Sequence, residues 1–238
     1  MEQTVIPLPK MPWNIYWINL DRRPDRKEHM EHLLCNNKEN HFRIQAVDYQ
    51  NKFYPYTVIR HPNLNAGEHG CSSSHIKALA YFLETSEDKY CFIAEDDLSN
   101  EYSDYWQEKH YEYLKSDTYE ILQLQTTGNS YTNISGTIDP EQICDAGTTI
   151  YKISRIIANK IVANHFNKEQ LTINLLNHDN PVTDVLVWNY GDTYLLPMFS
   201  YLDVQDSDTN KEVINDYWQN FFKAVKTKYL MFWKKIHG

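Results

Sequence analysis

Short apolar runs that favour extended backbone alternate with amphipathic helical segments along most of the chain, and that order restricts the fold more than any other feature. "NIYWINL" (14–20) is followed by "RPDRKEHMEHLL", where Pro24 suits a first helical position and Met30, Leu33 and Leu34 share one face. "FRIQAV" (42–47) reads as a second strand, and the stretch from there to Asn65, carrying Pro55 and Pro62, as a loop. A turn permitted by Gly67 and Gly70 is expected to lead into a helix through "SHIKALAYFLE", and "YCFIAE" (90–95) is the next strand. Beyond it come a helix in "SDYWQEKHYEYLK" capped by Ser103, a strand in "YEILQLQ" (119–125) and a long excursion over 126–146. "TTIYKI" resumes as a strand, Ser154 caps a helix in "RIIANKIVANHF", "PVTDVLVWNYG" is a short helix closed at Gly191, and "TYLLPMF" is a late strand. Such alternation predicts an α/β fold with a mainly parallel central sheet and helices on both faces.

Charge narrows the partners. With 32 acidic against 23 basic residues the net charge is -9, which disfavours a binder of nucleic-acid backbones. Cys35, Cys71, Cys91 and Cys144 are widely spaced, and the N-terminus has neither an apolar run nor a basic start. We therefore expect free thiols, a cytoplasmic location and an unmodified sequon at Asn133. No window is apolar over the length needed to span a bilayer. The tail from Gln219 carries five lysines and no acid, with Phe222, Val225, Tyr229, Phe232, Trp233 and Ile236 at helical spacing. That helix is expected to pack its apolar stripe on the domain, to make peripheral contact with an anionic membrane surface, or to do both. The chain accordingly divides into a domain over 1–212 and a basic aromatic helix over 213–238.

The stretch "CFIAEDDLSN" runs a buried strand straight into Glu95, Asp96 and Asp97, and like charges held that close need screening. In parallel sheets ligands bind outside the carboxyl ends of strands, which is where the triplet falls. Alternation points Glu95 and Asp97 one way and Asp96 the other. Asp97, with Glu95 directly or through water, then suits Mg²⁺ or Mn²⁺, while Asp96 faces a ligand group such as a sugar hydroxyl. The alternative is a solvated acidic turn. "INLDRRPDR" adds Asn19, Asp21 and three arginines at the same edge: guanidinium suits phosphate, carboxylate suits ribose hydroxyls, and Asn suits a base edge. Arg22, Arg23 and Arg26 read otherwise as the polar face of the first helix. In "GEHGCSSSH", His69, Cys71 and His75 would need a fourth ligand or a water to hold zinc, and no second ligand cluster follows. The favoured reading places Ser74 and His75 beside whatever binds. Asp184, an acid in an apolar run, is a candidate general base if partly buried and a plain exposed carboxylate if not. "DVQDSD" (203–208) supplies further polar ligands after the last strand.

Taken in order, "INLDRRPDRKEHM", "FRIQAVD", "GEHGCSSSHIKAL", "FIAEDDL", "GTTIYKIS", "PVTDVLV" and "VQDSD" resemble the pattern of glycosyltransferase family 25, from about Asn14 to about Asp208. The resemblance implies a GT-A-type nucleotide-sugar-binding fold, a divalent cation, usually Mn²⁺, at the acidic triplet, and inverting transfer of a hexose. The donor it implies is a UDP-sugar of galactose or glucose, and the acceptor is a hydroxyl on a glycan, a lipid-linked saccharide or hydroxylysine. Carried over by position, Asn19, Asp21 and Arg22 meet the nucleotide, Ser74 and His75 line the donor site, and Asp96 touches ribose or sugar. Asp97 with Glu95 coordinates metal, and Asp184 is the base. His69, Ser72 and Ala94 depart from the pattern, which bears on donor identity. Two other classes compete: a non-catalytic nucleotide-sugar-binding module and a metal-dependent nucleotidyl or phosphoryl transferase.

Overall fold

A computed structural model describes residues 5–49, 55–128, 131, 139–202 and 216–237. Its elements in chain order are β1 (Ile15–Asn19), α1 (Pro24–Leu33), β2 (His41–Gln45), β3 (Thr57–Ile59), α2 (Ala66–Thr85), β4 (Tyr90–Glu95), β5 (Leu98–Ser99), α3 (Glu108–Lys115), β6 (Ile121–Gln123), β7 (Ile150–Ser154), α4 (Arg155–His165), β8 (Phe166–Asn167), β9 (Thr172–Asn174), α5 (Thr183–Trp188), β10 (Thr193–Leu195), β11 (Ser200–Tyr201) and α6 (Asp216–His237). Six strands make the central sheet in the order β10-β6-β7-β4-β1-β2. The expected parallel character holds only in part. β1 pairs parallel with β2 and β4, and β10 with β6, but β7 lies antiparallel to both β4 and β6. Because β6 and β7 pair antiparallel, the chain leaves β6 and enters β7 at the same end of the sheet. Residues just before β7 therefore meet the carboxyl ends of β4 and β6.

Alternating side chains build one core on each side of the sheet. Ile15 and Trp17 of β1, with Phe92 and Ala94 of β4, face Met30 and Leu33 of α1, Leu114 of α3 and the stripe of α6. Tyr16, Ile18, Cys91 and Ile93 face the other way, onto Ile76, Leu79 and Phe82 of α2, Ile157 and Ile161 of α4, and Leu186 and Val187 of α5. Helices thus cover both faces. In α6, Val225, Tyr229 and Trp233 are buried in the first core, and the Trp233 indole donates to Pro197 O at 2.9 Å. The described part of this helix therefore packs on the domain through that stripe. No helix among the described residues is long and apolar enough to cross a membrane.

Several local expectations are corrected. Gly67 and Gly70 lie inside α2, which starts at Ala66 because Asn65 and Glu68 form a reciprocal capping box: Glu68 N–H donates to Asn65 Oδ1 and Asn65 N–H to Glu68 Oε2. Ser103 opens a short 3₁₀ turn, and Gln107 caps α3 together with His110. The stretch before Asn65 contains β3, which pairs with β9 in a small three-stranded sheet. Ser154 caps α4 as expected, its hydroxyl accepting from Ile157 N–H. The "DVQDSD" ligands and Asn133 lie outside the described residues.

One glycine fixes how closely α2 approaches the sheet. A Cβ at Gly70 would stand 2.7 Å from the backbone oxygen of Val47, just past β2. Gly70→Ala should lower the melting temperature, because overpacking costs about 1–3 kcal/mol and outweighs the roughly 1 kcal/mol that alanine gains in helix propensity. A thermal melt in which the variant is as stable as the parent or more so would show that this approach is slack.

Candidate active site

The carboxyl ends of β1 and β4 and the first turns of α1 and α2 enclose a cleft lined by Asn19, Arg22, Arg26, Cys71, Ser74, His75, Glu95, Asp96 and Asp97, among others. Asp96 turns inward. Its Oδ1 accepts from the Arg26 guanidinium at 2.8 Å and its Oδ2 from Asn19 Nδ2 at 2.7 Å, so the acid is 7% exposed and both oxygens are engaged. Asn19 is equally committed: Nδ2 also reaches Arg23 O, and Oδ1 accepts from Arg43 Nε at 2.8 Å. Burial raises the Asp96 carboxyl above its ordinary range despite the opposing pull of Arg26.

Glu95 points toward α2. Its Oε1 accepts from the Thr148 hydroxyl at 2.7 Å and lies 3.4 Å from His75 Nε2. Burial alone would raise Glu95, but His75 and Thr148 more than offset it, and its carboxyl falls below the usual range. Asp97 has no such help. Among the described residues its buried Oδ1 finds no hydrogen-bond partner, and burial followed by the charge of Glu95 pushes its pKa up to about 7. A buried carboxylate oxygen without a partner, beside a second carboxylate, fits a hard divalent cation: the donors are the right kind, and the ion would remove the repulsion.

Other expected residues are placed less simply. Ser74 lines the cleft, yet its hydroxyl accepts from Val47 N–H at 2.8 Å and donates to Gly70 O at 2.6 Å, tying α2 to the end of β2. Arg22 lines the cleft and pairs with Asp48 at 3.1 Å. Asp21 is not among the lining residues; it accepts from Arg43 and Gln45, and Arg43 first of all lowers its pKa. His75 is 1% exposed, with Nδ1 3.0 Å from the Tyr151 hydroxyl. His69 is drawn elsewhere, its Nε2 lying 3.0 Å from His61 O.

Asp184 reaches this edge from α5. The Ser72 hydroxyl donates to Pro181 O at 2.6 Å and lies 3.1 Å from Thr183 Oγ1, while Thr183 donates to Cys71 Sγ at 3.2 Å. Small side chains on α2 thus hold α5 close. Burial raises Asp184 to about 6, opposed by the nearby Gly147 N–H, with Glu95 raising it further and His75 lowering it. Gly147 has φ +118°, and a Cβ there would lie 2.5 Å from Gln125 Oε1, so only glycine turns its N–H to this position without strain.

Sequence reasoning undervalued Arg26. Its signal was present, since Arg26 lies four residues before Met30 and shares the buried face of α1 with Met30 and Leu33. Thr148 was also not singled out, although it lies in the "GTTIYKIS" block.

Fold and cleft together define an α/β protein with an acidic ligand site at the carboxyl edge of its sheet. Residues 13–177 match the family model described as "Glycosyltransferase family 25 (LPS biosynthesis protein)", and the chain belongs to that family. It is thereby a glycosyltransferase by descent, and its six-stranded mixed sheet flanked by helices accords with a GT-A-type fold. No curated protein matches the chain. Among solved structures, "Crystal Structure of A197 from STIV" is similar at 11% identity and a TM-score of 0.41, over 79% of this chain and 83% of that one, too distant a likeness to bear on the site.

Asp97 supplies a stability test. In the unfolded chain its carboxyl releases its proton near the ordinary value of 3.8, whereas in the fold it does so near 7. Between those values the folded state holds the extra proton, so stability falls as pH rises through the window. In metal-free buffer at pH 8, Asp97→Asn should stabilise the protein by on the order of 1–3 kcal/mol, an advantage that shrinks as pH falls toward 4. Melts in which the parent is the more stable at pH 8 would mean that Asp97 has a partner after all.

Proposed function

We propose that the protein is a metal-dependent inverting glycosyltransferase that moves a hexose, galactose or glucose, from a UDP-sugar to a hydroxyl of a saccharide acceptor. The observation that carries this reading is the buried, unpartnered Oδ1 of Asp97 at the mouth of β4, next to Glu95 in a cleft that also presents Arg22 and Arg26. Asp97 and Glu95 are the residues that would hold Mn²⁺ or Mg²⁺, which when bound supplies the positive charge that stabilises a departing diphosphate. Arg26, fixed by Asp96, and Arg22 place further positive charge on the same wall. Asn19 and Asp96 act in this reading chiefly by holding that wall in place, since their polar side-chain atoms already bond to each other and to arginines.

Asp184 is the proposed base. A carboxyl titrating near 6 is ionised at neutral pH yet more basic than a surface aspartate, which suits removal of a proton from an attacking hydroxyl. Direct displacement by that hydroxyl inverts the anomeric centre and asks for no protein nucleophile. The family description, LPS biosynthesis, supports a saccharide or lipid-linked saccharide acceptor over hydroxylysine. Free cysteines at Cys35, Cys71, Cys91 and Cys144 support a reducing compartment.

Two variants separate the roles. Asp97→Ala should abolish both sugar transfer and Mn²⁺-dependent UDP binding measured by calorimetry, with the circular dichroism spectrum unchanged. Asp184→Asn should keep UDP binding and lower kcat by about 10²–10⁴-fold. Normal turnover by either variant removes the role assigned to that residue.

A further inference from the structure

Glu95 faces two other groups that neither the proposed transfer reaction nor the hard-cation reading uses. Cys71 Sγ, a ring nitrogen of His75 and a Glu95 carboxylate oxygen all lie within 4.8 Å of one another at the floor of the cleft. His75 is 1% exposed and its Nε2 has no hydrogen-bond partner among the described residues, the 3.4 Å approach to Glu95 Oε1 being too poorly aligned to count as one. We propose that Cys71 Sγ, His75 Nε2 and Glu95 Oε1 form a binding site for a thiophilic divalent cation of the Zn²⁺ type, with a fourth position open to the cleft.

The spacing favours this. Bonds of about 2.0–2.1 Å from a tetrahedral ion to nitrogen and oxygen put those two atoms roughly 3.3 Å apart, against the 3.4 Å found between His75 and Glu95. The surroundings orient the donors. In the ion-bound form the Nδ1 proton would go to the Tyr151 hydroxyl 3.0 Å away, leaving the Nε2 lone pair for the ion, the arrangement that outer hydrogen bonds impose on metal-bound imidazoles. Thr183 holds Cys71 Sγ from the far side at 3.2 Å, and Thr148 holds Glu95 Oε1 at 2.7 Å. When the ion binds, the thiol proton leaves to solvent, and thiolate and carboxylate together balance the dication. A thiolate donor selects Zn²⁺ over Mg²⁺ or Mn²⁺, so the site differs in kind from the one assigned to Asp97, although Glu95 borders both.

Spectroscopy with Co²⁺ in place of Zn²⁺ tests this without reference to activity. The full chain, reduced and free of nucleotide, should develop a thiolate-to-cobalt charge-transfer band that Zn²⁺ removes and Mn²⁺ does not. Cys71→Ser should lose the band. Asp97→Asn should keep it, which separates this site from the proposed transfer chemistry, because that variant is expected to lose Mn²⁺-dependent UDP binding. Absence of the band in the parent, or its survival in Cys71→Ser, overturns the proposal. Should Cys71→Ser not fold, the parent protein still decides: Zn²⁺ should slow alkylation of Cys71, located by peptide mass spectrometry, by about tenfold or more, since the reagent needs the electron pair that the ion takes. Unchanged alkylation sinks the idea.

Discussion

Three carboxylates in a row can end a buried strand here because the middle one is neutralised from inside. Asp96 takes a guanidinium hydrogen bond from Arg26 on α1 and an amide hydrogen bond from Asn19 on β1. Removing one partner from such a buried pair typically costs about 3–5 kcal/mol because the other charge is left uncompensated, so the Arg26–Asp96 contact fixes where α1 sits against the sheet beside Met30 and Leu33. Its second effect is directional. Once Asp96 is anchored on one side, the pleat sends Glu95 the other way, toward His75 and Thr148, and Asp97 follows with its Oδ1 lacking a hydrogen-bond partner among the described residues. The site's residual negative charge is therefore a consequence of how the strand end is tied down.

Most of the fold was legible because the relevant signals are local. The apolar runs at β1, β4 and β7 and the spacing of Ile76, Leu79 and Phe82 in α2 belong to elements whose burial is dictated by period alone. The α2 boundary was missed for a reason also present in the sequence: the Asn65 and Glu68 pair is a start signal, and it outweighs the two glycines that suggested a turn. The direction of β7 is another matter. Nothing in the apolar run of β7 distinguishes a parallel from an antiparallel strand, so its direction could not be read from period alone.

The candidate site was legible in part, and the division has a physical basis. Which residues gather at the sheet edge follows from topology, so Asn19, Ser74, His75, Glu95, Asp96 and Asp97 all line one cleft. What their polar atoms do there depends on partners far away in sequence. Ser74 is taken by Val47 and Gly70, and Asp21 by Arg43 and Gln45, contacts that no local pattern encodes. Arg26 is the converse case: the sequence reading allowed it on the polar face of α1, yet its spacing to Met30 sets it on the buried face, where it meets Asp96.

The reversed strand also explains how Asp184 comes to share the edge. Were β7 parallel to its neighbours, its first residues would lie at the opposite end of the sheet from Glu95. Because it runs against them, Gly147 and Thr148 arrive beside the end of β4, where the Thr148 hydroxyl binds Glu95 and the Gly147 N–H is turned toward Asp184 by a positive φ. α5 is brought into reach from the other direction by Ser72 and Cys71 on α2. Two raised carboxyls, Asp97 and Asp184, thus share one strand end through Thr148 and Glu95, and both are raised first by burial. Burying two acids in this way works against stability at neutral pH. Their placement at the carboxyl edge of the sheet is better explained by chemistry performed there than by packing.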